Sequence, residues 1–329
     1  MRRMKPSLIT ASLLALTLAS PAAAQETEPP TPASVVAAAP ASDWKRIDPA
    51  DLLVMDLAPD AAGKPRRVVI QLVPAPFSQG WVGNIRKLAQ AQWWDGTSVY
   101  RVVDNWVAQW GDVDESKALP EGVSEQPDDQ YTALWSDVPA LYRQAGDIMV
   151  NEAERLERVA SGAEPNRGDS YAGFTTHSNS WPVAVEAGDV WPTHCYGSVG
   201  VARSVGSGGT GSELYAVIGH APRQLDRNIA VVGRVIEGIE YLSTLPRGPT
   251  GTNGVYEDAS QRVPILSVRL GSELQEIPQP QFEYLDSDSQ SFADYVHVRA
   301  NRQDPFYLHP AGGIDICNVQ PPIRRIPSE

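Results

Sequence analysis

TSVYRVVDNWVAQWGD, residues 97–112, carries two short β-type runs, 98–103 and 106–110, separated by Asp104 and Asn105. Asp and Asn side chains hydrogen-bond their own backbone in tight turns, so the segment is expected to be a β-hairpin. It sets one arginine, Arg101, inside an apolar run and places Gln109, Tyr100, Trp106 and Trp110 on neighbouring positions. A permanent cation and a wide apolar surface are thereby brought together.

Outward from the hairpin the pattern stays rich in short strands. Residues 67–73, RVVIQLV, are β-branched and bounded by Gly63, Pro65 and Pro74, which predicts a strand. Residues 77–91 place Trp81, Val82, Ile85 and Leu88 at helical spacing, which predicts an amphipathic helix able to cover an open end of a sheet. Further strands are expected over 197–203, 213–219, 229–235 and 263–270, with a second short helix over 236–245. Many short strands and few helices favour a mainly β fold closed into a barrel over a layered α/β sheet. The globular domain is expected over 43–272, interrupted by a proline-rich, acidic insertion over about 113–193 that carries one helix near 139–159. So long a stretch is either functional or folded in its own right. Residues 273–329 form a C-terminal extension with a helix over 289–302, and 25–42, rich in Pro and Ala, reads as a disordered linker.

The first residues, MRRMK, an apolar run over 8–19 and Ala22-Ala23-Ala24 follow the charge, core and small-residue order of a secretory signal peptide, 1–24. Cleavage after Ala24 removes Arg2, Arg3 and Lys5 and no acid, taking the net charge from −13 to −16. The apolar run is too short to span a bilayer, and no later run is long enough, so no membrane span is expected once the signal is cleaved. A periplasmic product follows as the expectation. The acidic balance excludes a nucleic-acid partner, since no basic stripe offsets it. Cys195 and Cys317, 122 positions apart, are read as one structural disulfide in an oxidising compartment, with two buried thiols as the alternative. His177, His194, His220, His297 and His309 lack the spacing of a metal-ligand set and are read as hydrogen-bonded structural residues.

Five blocks in fixed order carry a resemblance: WWDGTSVYRVV (93–103), QWGD (109–112), GSVGVAR (197–203), GTGSELYAVIG (209–219) and LDRNIAVVGRVIEG (225–238). Together they resemble the cyclophilin family of peptidyl-prolyl cis-trans isomerases, in a form similar to a bacterial exported branch with long insertions and C-terminal tails. The resemblance implies an eight-stranded antiparallel β-barrel capped by two helices, acting without metal or cofactor on proline-containing polypeptide clients; a monomer is the separate expectation. It places the catalytic arginine on Arg101, the pocket for the proline ring on Trp106, Val107, Tyr215 and Leu225, and the substrate-orienting amide on Gln109. Ala202 and Arg203 fall where the family contacts an extended peptide.

Those residue types suit the chemistry. Resonance across the peptide C–N bond sets a rotation barrier of about 18–20 kcal/mol. A guanidinium that donates to the prolyl nitrogen favours the twisted amide, whose lone pair is localised, over the planar one. Several positions depart from the family pattern. Trp106 and Tyr215 stand for phenylalanines, Trp110 for a glycine and Glu213 for a glutamine, while Gln224 and Ile229 replace an aromatic or histidine and a histidine. Glu213 is expected beside the substrate groove, paired with Arg101 or tuning the groove's charge. The alternative function is a catalytically weak proline-peptide-binding or chaperone module of the cell envelope. The glycine-rich run 206–213 lacks the Lys-Ser or Lys-Thr of a phosphate cradle and reads as a flexible groove-side loop.

Overall fold

The computed structural model describes residues 28–138, 169–275 and 279–327. The expected signal peptide, 1–24, and the helix expected over 139–159 lie outside them.

Eight strands form the closed barrel. They are β2 (Leu52–Leu57), β3 (Arg66–Leu72), β4 (Ser98–Val102), β5 (Val107–Gly111), β10 (Ser198–Val201), β11 (Leu214–Val217), β12 (Val231–Glu237) and β13 (Val263–Leu270). The strand order is β10-β11-β5-β4-β13-β2-β3-β12, every pairing is antiparallel, and β12 returns to β10 so that no edge is left open. The expected hairpin is β4–β5, with Asn105 at φ 51° in its turn. Asn tolerates that left-handed conformation better than most residues.

Helix α2 (Gln79–Gln90) caps the barrel with Trp81, Val82, Ile85 and Leu88, all buried in the main core. The second cap, α3 (Glu240–Ser243), is a single turn that buries Leu242. The sequence pattern predicted ten residues there. Ile236 and Glu237 instead complete β12, whose register shifts between Val235 and Glu237, and Gly238 lies against Arg67 of β3 too closely for any Cβ.

The described part of the insertion is a folded addition. Strands β6 (Ala133–Leu134), β7 (Phe174–Ser178), β8 (Trp181–Glu186) and β9 (Asp189–Pro192) make a sheet in the order β6-β9-β8-β7. Its Trp181, Val183, Val185 and Val190 join the barrel's own core, so it is packed as tightly as the strands it interrupts.

The two ends of the chain meet in a third sheet, β1-β14-β15, from β1 (Trp44–Arg46), β14 (Phe282–Leu285) and β15 (Ile323–Arg325). Helix α4 (Gln290–Ala300) covers it, and Trp44, Leu285, Phe292, Tyr295, Ile316 and Val319 form a separate core beneath. Here the expected linker is corrected. Within 25–42, Pro32–Ala38 is helix α1, opened by a Thr31–Ser34 capping box, and Val35 and Val36 pack on that second core. Seven residues are too few to show a hydrophobic period, and the partner lies at the far end of the sequence. Cys195 and Cys317 form the disulfide, joining this unit to the barrel.

His177 of β7 ties the insertion to the C-terminal segment. Its Nε2–H donates to the Val319 carbonyl at 3.1 Å, and its ring packs edge-on against Phe292. Burial pushes its pKa down to about 4, helped by the Arg234 charge, although the bond to Val319 acts the other way. Because the folded value lies below the ordinary 6.5, His177 contributes stability that is present above pH 6.5 and lost as pH falls through 4. We expect wild type to lose about 3 kcal/mol more than His177→Gln between pH 7 and 4, read from urea midpoints. Parallel pH curves would show that the ring is not held neutral.

Candidate active site

One cleft of about 420 Å³ opens on the outer face of the barrel beside β4, β5 and β11. Arg101, Trp106, Val107, Gln109, Ala202, Arg203, Glu213, Tyr215 and Leu225 all line it, so the nine residues singled out from the sequence come together in one place. The pairings explain how. Gln109 is opposite Arg101 on one side of β5 and opposite Tyr215 on the other, which stacks the three across adjacent strands.

The cleft has an apolar end and a polar end. Val107, Tyr215 and Val217 form a small cluster of their own, with Trp106, Ala202, Leu225 and Ile229 packed on it and partly open to solvent. At the polar end, Arg101 Nη1 donates to Gln109 Oε1 and its Nε donates to the Asn253 carbonyl, both at 2.8 Å. Burial lowers the Arg101 pKa from its ordinary value, but a guanidinium stays charged wherever the protein is folded. The loop 204–212 closes the far wall. Its carbonyls at Gly208, Thr210 and Ser212 accept from Trp81 Nε1, Asn84 Nδ2 and Trp94 Nε1 at 2.8–2.9 Å. The glycine-rich run is therefore pinned by α2 and the turn after it.

Glu213 does not pair with Arg101. Its Oε2 accepts from the Tyr100 hydroxyl at 2.8 Å and its Oε1 from the Asp112 backbone N–H at 2.7 Å, while Gln109 Nε2 donates to the same Tyr100 oxygen. Tyr100 has no place in the family's site pattern, and strict alternation along β4 would send it and Arg101 to opposite faces. A register shift between Val99 and Arg101 breaks the alternation, and both line the cleft. Burial pushes the Glu213 carboxyl up to about 7, with Asp112 and Glu115 adding to the rise and the bonds from Tyr100 and Asp112 opposing it.

The apolar end rests on a buried polar chain. The Tyr215 hydroxyl meets His194 Nε2 at 3.0 Å, and His194 Nδ1 meets Asp226 Oδ1 at 2.9 Å. Asp226 also accepts from Arg223 Nε, and Arg223 forks onto Asp169 with two bonds of 3.0 Å. The Asp226 carboxylate can only accept, so His194 Nδ1–H donates to it and the ring's other nitrogen is turned to the Tyr215 hydroxyl. Burial opposes ionisation of Asp226, but His194 and Arg223 outweigh it and its pKa falls. The tyrosine fits because Gly200 lies beneath it, where a Cβ would sit 2.3 Å from the hydroxyl oxygen. His194 and His177 are thus structural as expected, whereas His220, His297 and His309 are exposed.

A closed antiparallel barrel with two caps, carrying an arginine-edged cleft on its wall, has the architecture of a cyclophilin-type protein. The family description "Cyclophilin type peptidyl-prolyl cis-trans isomerase/CLD" matches residues 64–270, and the chain belongs to that family of X–Pro isomerases. Solved structures matching the chain include the crystal structure of cyclophilin AquaCyp293 from Hirschia baltica, with a TM-score of 0.61 at 20% identity over 92% of this chain and 99% of that one. At that identity the likeness speaks for the fold. A comparison with curated protein sequences gives no match.

Proposed function

We propose that the chain accelerates X–Pro rotation in exported client proteins, with Arg101 as the catalytic residue and the Trp106–Val107–Tyr215–Leu225 face as the seat of the proline ring. The observation that carries this reading is the cleft's division. A fixed guanidinium stands at one end of a 420 Å³ groove whose other end is an apolar cluster separate from the core. A proline seated there brings its amide nitrogen towards Arg101 as Gln109 and the backbone at Ala202 and Arg203 hold the flanking peptide. The Arg101 N–H then finds its best acceptor in the twisted amide, so its interaction is strongest at the top of the barrier.

The periplasm is the compartment we assign. The signal-like order of residues 1–24 and the disulfide between Cys195 and Cys317 support it, since such bonds persist in oxidising compartments. Among the described residues no helix is long and apolar enough to cross a membrane.

The test is cis-trans exchange in a proline tetrapeptide, followed by NMR with and without the protein. Exchange faster than in buffer is expected. Peptide binding with no acceleration would replace the enzyme by the proline-binding module.

A further inference from the structure

The bonds from Arg101 through Gln109 and Tyr100 to Glu213 run in one direction only. A guanidinium donates and never accepts, so Gln109 must turn its oxygen to Arg101 and its NH₂ to Tyr100. The Tyr100 oxygen is then occupied as an acceptor, and its own hydrogen goes to Glu213 Oε2. Glu213 Oε1 is occupied by the Asp112 N–H. The chain therefore has a donor-only end and, when the carboxyl is ionised, an acceptor-only end. Adding one proton to Glu213 gives it a hydrogen too many. A proton on Oε2 meets Tyr100 Oη, which already receives Gln109, and one on Oε1 competes with the Asp112 N–H for the same oxygen, so either weakens the chain of bonds.

We propose that Glu213 and Tyr100 are positioning residues for the isomerase, the ionised Glu213 carboxylate fixing the Gln109 amide and through it the Arg101 guanidinium. The proposal rests on Arg101 being the group that acts on the prolyl amide. Space has been made for the carboxylate: a Cβ at Gly111 would lie 2.1–2.2 Å from its oxygens, so only a glycine at that point of β5 lets it reach both partners. The titratable groups facing it are Tyr100 from β4, with Asp112 and Glu115 from the segment after β5, and the Arg101 charge acts on Tyr100 one step further along the chain of bonds. On its own segment the nearest such group, Tyr215, turns away to His194, and Arg203 lines the cleft beyond. Burial and the two neighbouring carboxylates bring the Glu213 titration to about 7, and the Tyr100 pKa is raised, by burial first and then by Glu213, so its hydroxyl keeps its hydrogen.

The arrangement works against the protein's own stability. A folded-state value above the ordinary 4.5 means that ionising Glu213 costs the native state, so its contribution to stability falls as pH rises from 4.5 through 7. Activity should change the other way. A residue that merely supports the fold would move both together.

The experiment measures kcat/KM on a proline tetrapeptide from pH 5.5 to 8.5 in wild type, Glu213→Gln and Tyr100→Phe, with the Arg101 Nε–H resonance followed by NMR over the same range. Wild-type kcat/KM is expected to rise with a midpoint near 7, and both variants to be flat and about tenfold lower at pH 8. The Arg101 resonance should titrate with the same midpoint in wild type only, while Glu213→Gln gains stability over wild type as pH rises. An Arg101 resonance indifferent to pH in folded, active wild type would overturn the proposal. A wild type without turnover whose Arg101 resonance still titrates through Glu213 would remove the isomerase reading and leave the relay standing.

Discussion

Arg101→Ala should lower kcat and kcat/KM together by about 10² to 10³ on a proline tetrapeptide while leaving the far-ultraviolet spectrum and urea midpoint near those of wild type. The size follows from what the side chain offers. Removing one preorganised charged donor from a site where charge localises in the transition state costs about 3–4 kcal/mol, and each 1.4 kcal/mol is tenfold in rate. The equal fall in kcat and kcat/KM follows because a planar amide in the ground state presents almost no lone pair to the guanidinium, so binding alone gains little from it. Arg101→Lys is expected to recover little of the loss. The guanidinium is held by two bonds at once, from Nη1 to Gln109 and from Nε to the Asn253 carbonyl, and an ammonium at the end of a flexible stem cannot reproduce that fork. A rise in KM with unchanged kcat would mean that Arg101 holds substrate and does not act on the rotating bond.

The second large effect concerns the Cys195–Cys317 disulfide. Cys317→Ser, or reduction of the folded protein, should lower the unfolding free energy by about 4–5 kcal/mol, the loop-closure value for a loop of the order of a hundred residues. The loss should be uneven. Cys317 sits in the small core of Trp44, Leu285, Phe292 and Tyr295, which is far smaller than the barrel's, so the terminal unit is expected to melt first. Hydrogen exchange would show it as faster exchange at Tyr284 and Ile323 than at Val99 and Ala108 in the variant. Uniform acceleration across both units would mean that they unfold as one.

The barrel was largely legible because its strands are β-branched runs bounded by glycine and proline, and residues 263–270 are the last strand to the residue. Leu52–Leu57 was not read as a strand. Four of its first five residues are apolar, so it lacks the alternation that distinguishes a strand from part of a buried helix. The terminal sheet was invisible for another reason: Trp44–Arg46, Phe282–Leu285 and Ile323–Arg325 are each three or four residues long, and what makes them strands is pairing across the length of the chain. At the site, family motifs were enough to gather nine residues into one cleft. They did not show the partners of Glu213, because these depend on a bulge that brings Tyr100 to the groove and on Gly111 leaving room for a carboxyl. The His194–Asp226–Arg223–Asp169 chain beneath Tyr215 was equally hidden, its members being spread over nearly sixty residues with no fixed spacing.

The three-stranded sheet at the termini sets an order of events during synthesis. Trp44 of β1 leaves the ribosome before any barrel strand, yet its partner Leu285 follows 241 residues later and Ile323 later still. At about 5–20 residues per second, the first strand waits some 10–50 seconds without a mate. The barrel, with all its strands available by Leu270, can close first and offer a finished surface for the ends to dock on. Cys317 follows the last barrel strand by 47 residues, so every strand of the barrel has been made before the bond to Cys195 can form, and that bond ties the late terminal unit to them.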